Sequence, residues 1–179
     1  RHRKSLSRFR ETEIDLLSLE LRKDPQLWLA VQFVYYCFIR PTSELRRLKI
    51  CHIDFSEGSM ELPSGISKNK ALAHVIIPKP FLEYLISIDL HKSNPDDYIF
   101  GNKGIPGLNQ IGTNTLYNRH REILLKLKFT KEYSIYIWKN TGVWFCVKAG
   151  IAMKDLQMQL RHHYMDMVND NLKTLGVMD

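Results

Sequence analysis

Hydrophobic spacing along the chain changes twice, from helical to strand-like and back to helical. ETEIDLLSLELRK places Ile14, Leu17 and Leu21 on one face at helical spacing. DPQLWLAVQFVYYCFI follows, with Asp24 as a candidate N-cap and Pro25 at the first helical position. Pro41 is expected to end or kink this helix just after Arg40. SELRRLKI predicts a short helix opened by Ser43 or Thr42. The middle of the chain then reads as strands. SMELP and AHVIIP flank SGISKNKA, a turn-forming, lysine-bearing stretch, which predicts a β-hairpin or small antiparallel sheet. YIF is a candidate third strand. PFLEYLISIDL is helical, with Phe81, Leu82, Leu85 and Ile88 on one face. TNTLYNRHREILLKLK, IWKNTGVWFCVKAG (with Gly150 as C-cap), MKDLQMQLRHH and MVNDNLKTLG predict further helices. The expected class is α+β, mostly helical, with helices before and after a small antiparallel sheet.

Composition narrows the class. The 179 residues suit one domain, and the 44% hydrophobic and 25% charged fractions are those of an ordinary globular chain. The longest apolar run, LWLAVQFVYYCFI, has 13 residues. That is short of the ~18 needed to span a bilayer, so a buried helix and no membrane are expected. No signal peptide is apparent, and a chain that starts at Arg1 is expected to be a piece of a longer protein. Cys37, Cys51 and Cys146 form no paired spacing, which predicts reduced core thiols rather than disulfides or a zinc site.

Charge adds a partner. The net charge is +7, and RHRKSLSRFR holds five Arg or Lys and no acid. Such a surplus suits a polyanion, nucleic acid before membrane, and a basic block of this kind reads as an arm or linker over residues 1–10 that touches phosphates through Arg1, Arg3 and Lys4. Arg119 and Arg121, flanking His120, are further candidates for DNA contact. Metalloprotease, zinc-finger, nucleophile-elbow and P-loop motifs are absent, and GNKGIPGLNQIG has the wrong glycine spacing for a phosphate fingerprint. Arg40, Lys68, Lys70, Lys139 and His162 stand at element ends. Two accounts of them stay open on spacing alone. Cations are favoured at helix C-termini by the macrodipole, and the same groups would stabilise charge on a phosphate in phosphoryl transfer.

Four ordered blocks resemble the catalytic domain of the tyrosine recombinases, the phage-integrase family, and in particular the integrases of Bacteroides-type mobile elements. The likeness runs from about Glu11 to Gly176. In YYCFIRPTSELRRLKICHIDF, Arg40 matches the first catalytic arginine and Glu44 its supporting acid, at a spacing one residue longer than the usual three. In ISKNKALAHVIIP, Lys68 matches the hairpin lysine, with Lys70 as the alternate. In YSIYIWKNTGVWFCVKAG, Tyr136 stands at the histidine and Lys139 at the arginine of the family's His-x-x-Arg box, and Asn140 where a second histidine is frequent. Lysine keeps the charge but loses the planar two-pronged grip of arginine. Trp138 and Trp144 read as core. In LQMQLRHHYMDMVNDNLKTLG, His162 matches the closing histidine, and nine residues on, at the family's nucleophilic tyrosine, stands Asn171.

The resemblance implies a recombinase-type catalytic domain over residues 11–179, without the family's N-terminal core-binding domain. It implies duplex DNA as partner, self-association in a synaptic multimer, a bacterial cytoplasmic setting on the nucleoid, and chemistry that needs no metal or other cofactor. In the family a tyrosine oxygen attacks the scissile phosphate, forming a 3′-phosphotyrosyl link and freeing a 5′-hydroxyl. An asparagine amide is a very poor nucleophile, and Tyr164, two residues after His162, stands about half a helical turn from it rather than more than two. Two readings follow: a site-specific recombinase domain altered at its nucleophile, or a catalytically inactive DNA-binding relic.

Overall fold

A computed structural model describes residues 7–66, 73–130 and 133–161. Among these, helices α1 (Glu11–Leu21) and α2 (Pro25–Cys37) precede strands β1 (Ile53–Asp54), β2 (Ser59–Leu62) and β3 (Ala73–Ile76). Helices α3 (Lys79–Ser87), α4 (Thr115–Lys126), α5 (Ile137–Lys148) and α6 (Met153–Leu160) follow. The strands form one antiparallel sheet in the order β1-β2-β3, with Met60 opposite Val75 and Leu62 opposite Ala73.

Helix α2 is the centre of the core. Leu27, Leu29, Ala30, Val31, Phe33, Val34 and Cys37 are all buried, so the helix is apolar around its circumference, as a helix packed on every side must be. It starts where the sequence says: the Asp24 carboxylate accepts from the Leu27 N–H at 3.2 Å, with Pro25 next in line. Helices α1, α4 and α5 pack against it. The approach of α5 is closest at Gly142, where an added Cβ would stand 2.1 Å from the Tyr35 carbonyl oxygen. Phe33 meets Phe81 and Phe100 edge-on, which joins α2 to α3 and to the loop after it. Each such buried ring contributes about 1.5–3 kcal/mol over an exposed one.

Several expectations need correction. Helix α2 ends at Cys37, three residues before Arg40, because Phe38 turns into the left-handed region (φ 56°). That turn drops the Phe38 ring into a second cluster with Val143, Leu156 and Leu160. Arg40 is therefore on a loop. SELRRLKI makes only a 3-10 turn, Leu45–Arg47, ended where Leu48 turns extended (φ -67°, ψ 130°). The third strand is Ile53–Asp54 rather than YIF. Tyr98 pairs by single bridges with Lys49 and Gly107, while Ile99 and Phe100 are buried. Ile88 lies past the end of α3 and is 40% exposed. Of the cysteines only Cys37 is buried; Cys51 is exposed and Cys146 half-buried, and all three are free. Trp138 is core, but Trp144 is half-buried with the Arg8 guanidinium 3.7 Å from its ring centre. The end of the basic arm is docked rather than loose. Phe9 is fully buried against Trp138, Tyr133 and Phe129, and its N–H donates to the Thr141 hydroxyl at 2.9 Å. Residues 1–6 lie outside the described residues.

One buried imidazole carries a pH dependence. His120 on α4 accepts from the Trp138 Nε1–H at 2.9 Å through Nε2, which puts its proton on Nδ1. Burial lowers its pKa from 6.5 to about 4. The unfolded chain therefore binds the proton first as pH falls. The stability that neutral His120 provides is complete above about 6.5 and is lost between there and about 4. Urea unfolding at pH 5 is expected to give about 2 kcal/mol less stability than at pH 7. His120→Gln, which keeps an acceptor for Trp138 but does not titrate, is expected to remove most of that difference. An equally steep profile in the variant would contradict the assignment.

Candidate functional site

Of the residues singled out by sequence, Arg40, Glu44, Tyr136, Lys139 and Asn140 sit on two segments that pack at the C-terminal half of α2. The first is the loop after Phe38. Arg40 is half-buried, and its backbone closes a tight turn in which its carbonyl accepts from the Glu44 and Leu45 N–H groups at 3.2 and 2.9 Å. Glu44 is fully buried. Its Oε1 accepts from the Arg40 N–H at 2.9 Å, so the acid fixes the arginine's backbone rather than its side chain. Among the described residues the Arg40 guanidinium has no ion-pair partner.

The second segment is the start of α5. Tyr136 is its N-cap residue and is 44% exposed. Lys139 lies in the first turn, one turn before Gly142, whose added Cβ would touch both Tyr35 and the Phe38 ring. Asn140 donates from Nδ2 to the Ser7 carbonyl at 3.3 Å, so it holds the entering chain. The third segment is β3. The Cys37 thiol, at the end of α2, lies 3.9 Å from the Ile76 carbonyl, and burial raises its pKa. The end of β3 at Ile76, opposite Ser59 of β2, thus lies beside the C-terminal end of α2. Lys68 and Lys70 lie outside the described residues, as do Arg1, Arg3, Lys4, His162 and Asn171.

The fourth segment is the end of α6, and sequence reasoning missed its main residue. Arg161 caps α6 in the left-handed region (φ 57°). It makes a two-pronged ion pair with Glu44, with Nη2 at 2.9 Å from Oε1 and Nη1 on Oε2, and Nη2 also donates to the Phe38 carbonyl at 2.8 Å. The side chains are 10% and 0% exposed. A basic residue before a histidine pair was visible in sequence, but a partner 117 positions away was not. Gln159, two residues back, was missed too. Its Oε1 accepts from the Ile76 N–H at 3.0 Å, and its Nε2 donates to the Ile76 carbonyl at 2.5 Å.

Two candidates for DNA contact fall elsewhere. Arg119 on α4 donates to Gln26 Oε1 at 2.8 Å and stands 3.8 Å from the Asp24 carboxylate. Those partners begin α2, roughly 20 Å along the helix from the Arg40 loop at 1.5 Å per residue. Its guanidinium thus ties α4 to α2. Arg121 is exposed on the same helix, beside a cavity of about 210 Å³ lined by Tyr117, Leu124, Phe129 and Tyr133. No set of three or more His, Cys, Asp or Glu able to hold a metal occurs among the described residues, and no described helix is long and apolar enough to cross a membrane.

No protein-family model matches the chain, and no curated protein sequence matches it. Solved structures do. XerA recombinase superposes with a TM-score of 0.74 at 22% identity, over 94% of this chain and 59% of that one. The Tn1549 transposon integrase in complex with circular intermediate DNA gives 0.73 at 14% identity, over 99% and 64%. The catalytic domain of bacteriophage HP1 integrase gives 0.66 at 17% identity, over 94% and 88%. The chain thus spans about six-tenths of the first two and most of the third. Mostly helical, with a small antiparallel sheet beside the end of its central helix, the chain has the fold of the tyrosine-recombinase catalytic domain.

Proposed function

We propose that this domain binds duplex DNA at a recombination site as the catalytic-domain portion of a mobile-element integrase. The observation that carries the reading is the meeting of four segments at one end of α2: the Arg40 loop, the first turn of α5 with Lys139, the base of the lysine hairpin, and the α6 terminus leading into His162. A half-buried guanidinium with no ion-pair partner among the described residues suits a phosphate oxygen, and the +7 charge supplies long-range attraction. In this reading Arg40, Lys139, His162 and Lys68 or Lys70 contact the scissile phosphate, with Tyr136 at the edge of the same site. Glu44 holds the Arg40 turn and Asn140 holds the arm. The Tyr-x-x-Lys form of the α5 box favours the Bacteroides-type branch of these integrases. Self-association on DNA, and a place on the bacterial nucleoid, belong to the same proposal.

Salt tests it. If four cations meet phosphates, affinity for duplex DNA falls about a hundredfold between roughly 50 and 200 mM salt. An affinity that does not change over that range would sink the reading.

Asn171 favours a second reading, in which the domain binds its site without cutting it. An amide cannot form the phosphotyrosyl link. With a nicked duplex that traps the covalent intermediate, the chain as it stands is expected to give no adduct and Asn171→Tyr to give one. An adduct from the unchanged chain would exclude the binding-only reading. No adduct from either, with DNA still bound, would place the block beyond the nucleophile.

A further inference from the structure

We propose that the end of α6 is a positioning device in which Arg161 and Gln159 hold the Arg40 loop and the end of β3 in fixed register with each other. The proposal rests on the functional reading above for its consequence on DNA, but its geometry stands apart from it. Arg161 reaches two places on one loop: the Glu44 carboxylate and the Phe38 carbonyl. Glu44 in turn holds the Arg40 N–H, so one carboxylate links the arginine of the loop to the arginine of α6. Gln159 binds both the N–H and the carbonyl of Ile76. That is the pairing a further strand would make with the outer edge of β3, supplied by one amide side chain.

The backbone supports the same conclusion. Phe38 and Arg161, the two residues joined by the Nη2–carbonyl bond, both lie in the left-handed region, at φ 56° and 57°. Glycine occupies that region at no steric cost. A phenylalanine and an arginine there are held by what their side chains reach, the ring in the cluster with Val143 and Leu160 and the guanidinium on Glu44. In the sequence Arg161 directly precedes His162. Arg161 is mostly enclosed and both its Nη atoms are engaged, which makes it a support for the phosphate-binding groups rather than one of them.

The experiment compares the full chain with Arg161→Met, Gln159→Leu, Arg40→Ala, the Arg161→Met/Arg40→Ala pair, and the Glu44→Met/Arg161→Met pair. Amide exchange without DNA reads the clamp directly. Arg161→Met is expected to speed exchange over residues 38–48 by at least about tenfold, and Gln159→Leu to do so over 73–76, with α1 unchanged. Duplex affinity at fixed salt reads the consequence. Arg161→Met is expected to weaken binding roughly tenfold, and adding Arg40→Ala to deepen the loss no further than Arg40→Ala alone does. Replacing both members of the buried pair with methionine is expected to recover the melting temperature but not the affinity. That split would not appear if Arg161 served stability alone. Unchanged exchange in both segments, recovery of affinity by the paired methionines, or fully multiplicative losses would each overturn the proposal. A parent chain that binds no duplex DNA would defeat the functional reading, and the exchange result would still decide the clamp.

Discussion

Gly142→Val is expected to cost more than about 3 kcal/mol of stability, enough to unfold a large share of the molecules of a marginal domain. The cause is geometric. A Cβ at this position would stand 2.1 Å from the Tyr35 carbonyl oxygen and 3.1 Å from the Phe38 ring. The oxygen belongs to the backbone of the central helix, so it cannot rotate aside as a side chain would. Helices α2 and α5 would have to separate, and the contacts between them are among the most numerous in the fold. Alanine separates two effects. It gains about 1 kcal/mol in helix propensity over glycine and loses more to the clash, so Gly142→Ala is expected to be destabilised by about 2 kcal/mol. Urea unfolding at neutral pH measures both. An alanine variant as stable as the parent would mean that the two helices are not held this close.

Glu44→Ala is expected to cost about 3–5 kcal/mol, the range for breaking a buried ion pair from one side. Three donors lose their acceptor at once: both arms of the Arg161 guanidinium and the Arg40 N–H. The remaining guanidinium is 10% exposed and keeps only the Phe38 carbonyl among these partners. Glu44→Gln is expected to fall between, because its amide oxygen still accepts from Arg40 while its nitrogen faces a cation. Equal stability of the alanine variant and the parent, by thermal or urea unfolding, would show that the pair adds nothing to holding the α6 terminus.

Most of the fold was legible because its signals are local. Asp24-Pro25 opens α2, the alternation in SMELP and AHVIIP gives the hairpin strands, and Gly150, at φ 80°, stops α5. The errors occurred where a distant contact overrides a local signal. Pro41 predicts a helix stop at Arg40, yet the stop comes at Phe38 because its ring fills a pocket built by α5 and α6. Glu44 matches a supporting acid in the sequence, but its burial against Arg161 at the end of α6 is not visible there. Phe9 lies in a basic stretch whose composition suggests an arm, while its aromatic partners lie more than a hundred residues later. Arg119 illustrates the converse. Its charge suggests DNA, and its side chain also joins two helices. Composition and spacing identify groups able to bind phosphate, but only the folded chain shows which of them also pack against other side chains.

Phe9 gives the entering chain a mechanical character. Its ring is wedged among Trp138, Tyr133 and Phe129, and its N–H is held by the Thr141 hydroxyl, which itself donates to the Ile137 carbonyl. Asn140 grips the same strand of chain at Ser7, and Arg8 lies over Trp144. Every one of these anchors except Tyr133 and Phe129 belongs to α5, within two turns of Lys139. A tug or twist arriving through residue 7 is therefore not absorbed by a slack tether. It would load α5, the helix whose first turn carries Lys139.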